Sequence, residues 1–219
     1  MTEIYKLYGR PGSGSLAVQV ALEEMGARYE RIWVGREPSD VAAFCAINPA
    51  GRVPALVLPD GTVMFESAAI LIHLALGHPQ SPLAPQPGTS RHAVFLQWMV
   101  FLSANVYEAA LRIYYSDRYS SRGEADAEAI RKQGTEHFCT HLALVSQGLG
   151  PYVLGADYSI ADVYLHMLAS WYPADKSELY ARAPKLEAHA KLLSARPVVA
   201  KVEADNAQEP AVAIRSAPS

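Results

Sequence analysis

Cysteine is scarce in this chain. The 219 residues hold two, Cys45 and Cys139. Two are too few for a disulfide framework at this length, and reduced thiols in a cytoplasmic compartment are the simpler expectation. An excess of charge of one sign is missing as well. Nineteen basic and 22 acidic residues give a formal net charge of −3. No basic run or stripe is present, so neither nucleic acid nor an anionic membrane is an expected partner. No uninterrupted apolar run is long enough to cross a bilayer. Met1 to Tyr8 lacks the basic region and apolar stretch of a signal peptide. What is present is ordinary for a globular protein: 50% hydrophobic and 19% charged residues, enough for one large domain or two small ones with a real core.

Turn chemistry divides the first third into short segments. Ile4 to Tyr8 is strand-like, and Arg10-Pro11-Gly12-Ser13-Gly14 is a turn. Ser15 is placed to cap a helix over Leu16 to Met25, ended at Gly26. Tyr29 to Val34 is a second strand, and a short helix over Ser39 to Ile47 follows, capped at or beside Ser39. Asn48 to Gly51 is a turn. Val53 to Leu58 and Thr62 to Phe65 form a hairpin about Pro59-Asp60-Gly61, with Pro54 unable to donate to the ladder. Glu66-Ser67 opens a helix to about Leu76. Strand, helix, strand, helix, hairpin and helix imply an α/β layer with a mixed sheet.

The stretch 78–90 is proline-rich and is expected to be a linker between a first domain, 1–77, and a second, 91–210. The second is all helical by pattern. Helices are expected over Arg91 to Tyr119, Glu124 to Gln147, Ser159 to Trp171, Leu186 to Ser194 and Val198 to Ala207. Ser159 and Asp162 have capping-box spacing. A flexible tail is expected over 211–219.

Four motifs occur in one order: Tyr8-Gly9-Arg10-Pro11-Gly12-Ser13-Gly14-Ser15-Leu16-Ala17, Asn48-Pro49-Ala50-Gly51-Arg52-Val53-Pro54-Ala55-Leu56, Phe65-Glu66-Ser67-Ala68-Ala69-Ile70, and Ser159-Ile160-Ala161-Asp162. Singly, each is a turn, an edge or a helix start. Together the chain resembles the cytosolic glutathione S-transferase superfamily over nearly its whole length. The first motif resembles the bacterial beta class most closely, but Gly14 stands where that class has its cysteine. The resemblance implies an α/β thioredoxin-like N-terminal domain with a mixed four-stranded sheet, followed by an all-α C-terminal domain. It also implies a homodimer, with glutathione as co-substrate and no metal.

Glutathione has a γ-glutamyl end with carboxylate and ammonium, a cysteinyl peptide and a glycyl carboxylate. A helix N-terminus carries unpaired N–H groups and partial positive charge, which suits the γ-glutamyl carboxylate at Ser67. Glu66 can meet the ammonium. The resemblance implies that Val53 pairs its backbone with the cysteinyl part and that Pro54 is cis. Arg52 can attract the glycyl carboxylate.

Catalysis needs a thiolate, and a free thiol with pKa about 8.5 is only about 3% ionised at pH 7. The candidate hydroxyls are Ser13, Ser15 and Tyr8, with Arg10 as a nearby cation. Ser13 stands first, because serine-type relatives keep their hydroxyl in this glycine-flanked loop. Ser15 competes with a capping role, and Tyr8 with a place in the sheet. Gly14 excludes a mixed disulfide at its position. The electrophile is expected between the domains, against Asn105, Tyr107, Tyr114, Tyr115 and Arg118, most of which equally suit helix packing. His137, Cys139 and His141 lack the pattern of a metal site.

The leading expectation is a transferase that conjugates glutathione thiolate to small, mostly hydrophobic electrophiles in detoxification. Alternatives on the same scaffold are a glutathione-dependent lyase, dehalogenase or peroxidase, or a non-catalytic glutathione-binding stress or interaction protein.

Overall fold

A computed structural model describes residues 4–78 and 83–207. The expected tail, 211–219, and residues 79–82 of the expected linker lie outside the described residues. In chain order the first elements are β1 (Tyr5–Gly9), α1 (Ser15–Glu24), β2 (Tyr29–Trp33), α2 (Pro38–Phe44), β3 (Ala55–Val57), β4 (Val63–Phe65) and α3 (Ser67–Gly77). Then follow α4 (Ser90–Phe101), a π-helical segment (Leu102–Tyr107), α5 (Glu108–Tyr114), a 3-10 turn (Ser116–Tyr119), α6 (Glu124–Gly148), α7 (Ile160–Ser170), α8 (Lys176–Arg182), α9 (Lys185–Ser194) and α10 (Pro197–Ala207). The chain divides into two compact units. The described residues up to Ala84 join those from Arg196 onward, and Pro85–Ala195 form the other.

The first unit holds the mixed four-stranded sheet, in order β2-β1-β3-β4. β1 and β2 are parallel, and β1–β3 and β3–β4 are antiparallel. The hairpin turn is set by Asp60, whose carboxylate accepts from the Thr62 amide at 2.8 Å, and by Gly61 at φ 91°. Leu7 and Leu56 lie opposite each other and are buried, with Val18, Leu22, Ile70 and Leu71 of α1 and α3. Each such side chain stabilises the fold by roughly 1.5–3 kcal/mol. Val34, Phe44 and Ala55 form a separate cluster, against which Tyr8, Ile47 and Val53 pack.

Both early caps differ from expectation. The N-cap of α1 is Gly14, not Ser15, because the Ser15 hydroxyl turns back to Arg10. The N-cap of α2 is Glu37, not Ser39, because Pro38 with its fixed φ takes the first turn. Helix α10, which the linker boundary grouped with the helical domain, packs on α1. Arg196 pairs with Glu24 at 2.9 Å, Lys201 with Glu23 at 2.7 Å, and Asn206 donates to Gln19 at 2.9 Å.

The second unit is helical. The expected helix from Arg91 to Tyr119 is broken into α4, the π segment, α5 and the 3-10 turn. Its run from Ser90 to Tyr114 is long and apolar enough to cross a bilayer by length and composition alone. Within it Phe95, Met99, Leu102, Val106 and Ile113 are core residues, Val94 and Val100 are exposed, and Arg91, Glu108 and Arg112 are in ion pairs. Helix α5 approaches α6 closely, since a Cβ at Gly134 would stand 3.1 Å from the Ala109 carbonyl oxygen. Helix α8, capped by Asp175, is an element the sequence pattern does not signal.

The capping box of α7 is formed and extended. Asp162 is fully buried and accepts from the Ser159 amide at 2.8 Å and the Val153 amide at 2.7 Å. It also lies 3.1 Å from Nε2 of the buried His189. Removing this carboxylate strands two buried amides and an imidazole, which costs far more than an exposed cap. Asp162→Ala should lower stability by about 3–5 kcal/mol. Urea unfolding would show this as a lower midpoint at unchanged slope.

Candidate glutathione site

The expected site residues of the first unit lie on three stretches: the β1–α1 loop, the approach to β3, and the start of α3. Gly14 shows how closely they meet. A Cβ built there would stand 3.2 Å from Cδ of Pro54 and 3.4 Å from Cβ and Oγ of Ser67. The loop between β1 and α1, the Val53–Pro54 edge and the α3 N-terminus therefore converge at one point.

The Val53–Pro54 peptide is cis. β3 begins at Ala55, and its register with β1 runs no further than Ala55 opposite Tyr8. The Val53 amide and carbonyl have no hydrogen-bond partner among the described residues. This is a short open edge of the kind that an extended peptide can pair with. The preceding turn is held by Asn48, which is buried. Its amide group donates to the Arg52 carbonyl at 2.6 Å, and its carbonyl oxygen accepts from Ala50 at 3.0 Å. The sequence marks Asn48 only as a turn residue, and its role in setting the edge is visible only in the fold. The Arg52 side chain is exposed, with no partner among the described residues.

Ser67 is the first residue of α3 and is buried. Glu66 caps that helix with φ 69° and ψ 107°, the one described non-glycine residue at positive φ. Such a conformation costs of order 1–3 kcal/mol and persists where the surroundings impose it. Its carboxylate is exposed, with no partner among the described residues. At the site, then, are an anion, a cation, a helix N-terminus and an open peptide edge.

The β1–α1 loop is tightly bonded to itself. The Ser13 hydroxyl donates to the Arg10 carbonyl at 2.7 Å and lies 2.9 Å from the Ser15 hydroxyl. Ser15 is 2% exposed. Its oxygen accepts from the Arg10 amide at 3.2 Å and lies 3.1 Å from the Arg10 carbonyl. Gly9 permits this, because a Cβ there would fall 2.4 Å from the Ser15 oxygen. The Arg10 guanidinium donates to the Val34 and Gly35 carbonyls, both at 2.8 Å, and so ties the loop to the end of β2. The Tyr8 ring packs on Phe44 at 5.7 Å, within the cluster of Val34 and Ala55.

In the second unit, Tyr107 meets Trp171 edge-on at 5.0 Å, and the Tyr114 hydroxyl donates to the Trp171 carbonyl. Burial pushes the Tyr114 phenol up from its ordinary pKa. Arg118 lies over the Tyr115 ring at 4.0 Å. Asn105 is in the π segment, with its backbone hydrogen-bonded to the His141 ring. The rings of His137 and His141 are 6.0 Å apart, and Cys139 is buried. Among the described residues no group of three or more potential ligands is placed to hold a metal.

Comparison with known proteins places the chain in a family. Residues 15–75 match the family model "Glutathione S-transferase, N-terminal domain". The chain is 28% identical over 180 residues to glutathione S-transferase GstA of Escherichia coli O157:H7, covering 80% of this chain and 85% of that one. A beta-class glutathione S-transferase from Sphingomonas chungbukensis has 27% identity and a TM-score of 0.76, over 92% of this chain and 98% of that one. A glutathione transferase homologue from Sulfitobacter, solved with bound glutathione, has 30% identity and a TM-score of 0.83, over 94% of this chain and 99% of that one. From its thioredoxin-like mixed sheet, its helical C-terminal region and these likenesses, the chain belongs to the cytosolic glutathione S-transferase superfamily.

Proposed function

We propose that this protein binds glutathione on its first unit and transfers the activated thiolate to small, mostly hydrophobic electrophiles. The observation that carries the proposal is the open Val53 backbone at cis-Pro54, beside Gly14 and the buried Ser67. The cysteinyl part pairs with Val53. The γ-glutamyl carboxylate meets the α3 N-terminus at Ser67. The Glu66 carboxylate takes the ammonium, and Arg52 takes the glycyl carboxylate. This pose sets the sulfur toward Gly14 and the start of α1. There the Ser13 hydroxyl and the partial positive charge of the helix end favour the thiolate. Arg10 holds the loop in shape from the end of β2.

Asn105, Tyr107, Tyr115 and Arg118 remain candidates to contact the electrophile. Tyr114 serves the helical packing, since its proton is held by Trp171. The working form is a cytoplasmic homodimer, with two-fold pairing the commonest arrangement. The exposed Val63, Phe65, Val94 and Val100 are apolar side chains that such an interface can cover.

A non-catalytic glutathione-binding role is the second reading. It is favoured by one observation: the loop hydroxyls both bond within the loop. Calorimetric titration with glutathione, with thiolate absorbance followed from pH 5 to pH 9, separates the two. The range brackets the ordinary thiol pKa of about 8.5. Transferase action predicts thiolate well below that pKa, whereas binding without thiolate supports the second reading. Absence of binding removes both.

Glu66→Gln should weaken glutathione by about 1.5–3 kcal/mol, roughly tenfold to a hundredfold in Kd. Glu66→Gly should weaken it as well, yet raise folding stability by about 1 kcal/mol, because glycine relieves the positive φ. Urea unfolding of the unliganded variant checks the second half. Gly14→Cys tests where the sulfur sits. The new thiolate should attack the disulfide of oxidised glutathione, keeping one glutathionyl sulfur and releasing the other as glutathione. Intact-protein mass would show a single adduct, reversed by reductant. No adduct at this position would place the sulfur elsewhere.

A further inference from the structure

The two loop serines form a closed hydrogen-bond circuit, and its count of protons and acceptors has a consequence. The Ser13 hydroxyl has one proton, which rests on the Arg10 carbonyl at 2.7 Å. Were that proton turned onto a sulfur with no other change, the carbonyl would lose its shortest donor and keep the Ser13 amide at 3.3 Å. The Ser15 hydroxyl, however, lies 3.1 Å from the same carbonyl and 2.9 Å from the Ser13 oxygen. Its own oxygen is anchored by the Arg10 amide at 3.2 Å, and Ser15 as a whole is 2% exposed. Ser13, next to the point where Gly14 meets Pro54 and Ser67, is only half-buried. One hydroxyl is thus locked in the interior and the other is near the site, and a single carbonyl lies within reach of both.

We infer that Ser15 is a positioning residue that releases the Ser13 hydroxyl for the glutathione sulfur; this rests on the glutathione reading above. At rest, Ser13 donates to the Arg10 carbonyl and Ser15 donates to the Ser13 oxygen. With glutathione bound, the thiol loses its proton to solvent, and Ser13 rotates to donate to the thiolate. Ser15 then turns its proton onto the Arg10 carbonyl. No covalent bond changes in the protein, each serine keeps its own proton, and the carbonyl keeps a hydroxyl donor in both arrangements. The Arg10 amide stays bonded to the Ser15 oxygen in both arrangements, so the loop backbone has no need to move. Hydrogen bonds linked in this way reinforce one another. Without Ser15, a Ser13 proton turned to the sulfur leaves the carbonyl only the longer bond from the Ser13 amide at 3.3 Å, so the rotation is disfavoured. The activating bond is weakened although Ser13 is still present.

The same circuit explains why a glycine is needed at position 9. A side chain there would displace the Ser15 oxygen, with a Cβ only 2.4 Å away. The Ser15 Cβ, 2.5 Å away, would be displaced with it, so the constraint is on the whole Ser15 side chain.

The test is the pKa of the bound glutathione thiol, read by thiolate absorbance in the intact protein and in Ser13→Ala, Ser15→Ala and the double variant. Ser13→Ala and Ser15→Ala should each raise that pKa by about one unit, a tenfold change in ionisation. The double variant should do no more than either alone, because both belong to one unit. Glutathione Kd measured at pH 5, where the bound thiol is protonated, should be unchanged. Ser15→Cys, which keeps the volume with a weaker donor, should raise the pKa as Ser15→Ala does. It replaces Ser15→Ala if that variant does not fold. An unchanged pKa in a folded Ser15 variant, with a raised one in Ser13→Ala, overturns the inference while leaving thiol activation intact. Additive shifts overturn it also. If the unmodified protein binds glutathione without lowering the thiol pKa, the transferase reading fails and the inference fails with it.

Discussion

The candidate site depends on a close approach of three chain segments at Gly14. Pro54 lies 3.2 Å and Ser67 3.4 Å from where a side chain at position 14 would begin. Carbon contacts at this range are tighter than the usual optimum of about 3.5–4.0 Å. The end of the β1–α1 loop, the cis-proline edge and the first turn of α3 therefore share one small volume, and each limits the others. Gly14 has φ −57° and ψ −11°, a conformation open to any L-residue. Its lack of a side chain thus reflects the neighbours and not the backbone angle. A small side chain is compatible with this spacing after a shift of a few tenths of an ångström. That makes the absence of a cysteine here a chemical difference from the beta class more than a steric one.

The loop in front of Gly14 is held from two directions. Outward, the Arg10 guanidinium grips the carbonyls of Val34 and Gly35, just beyond the second strand. Inward, the Arg10 amide and carbonyl are bonded by the serine hydroxyls. One residue thereby links the strand end to the helix start. Its charge is worth less as a long-range attraction than its five donors are as a geometric clamp. Such support matters for chemistry because a hydrogen bond to a developing charge acts only when its donor is already in position.

The local parts of this structure were legible in the sequence. Proline and glycine mark the turns, a lone proline marks the start of β3, and the Ser159–Asp162 spacing marks the cap of α7. Those signals act over a few residues, where chain chemistry decides. What was hidden depends on partners far along the chain. Helix α10 follows a helical domain in sequence but packs on α1, through pairs such as Arg196 with Glu24 and Asn206 with Gln19. No local pattern reveals a contact of that separation. The π segment in the expected long helix was hidden too, because its residues have ordinary helical character. Ser15 has the composition of a cap, yet Gly9 leaves room for its hydroxyl to turn inward. At the site, the residues that touch were legible as motifs. Their mutual distances, and the conformation of Glu66, were not.

The polar groups of this protein fall into two kinds, and the difference between them bears on function. Asp162 is buried and its carboxylate is met by amides, a hydroxyl and an imidazole. A group so fully satisfied is explained by folding alone. Arg52, Glu66 and the Val53 backbone are the reverse. Arg52 and Val53 precede β3 and Glu66 follows β4, where the hairpin register sets Ala55 opposite Phe65, and neither charged side chain nor the Val53 backbone has a partner among the described residues. Exposed single charges add almost nothing to stability, and Glu66 is held at a positive φ that detracts from it. Folding therefore gives no reason for this carboxylate to be where it is. A ligand does, if it carries an ammonium, an extended peptide and carboxylates at two ends. On the proposed function, the strained cap and the unpaired edge are two parts of one binding surface.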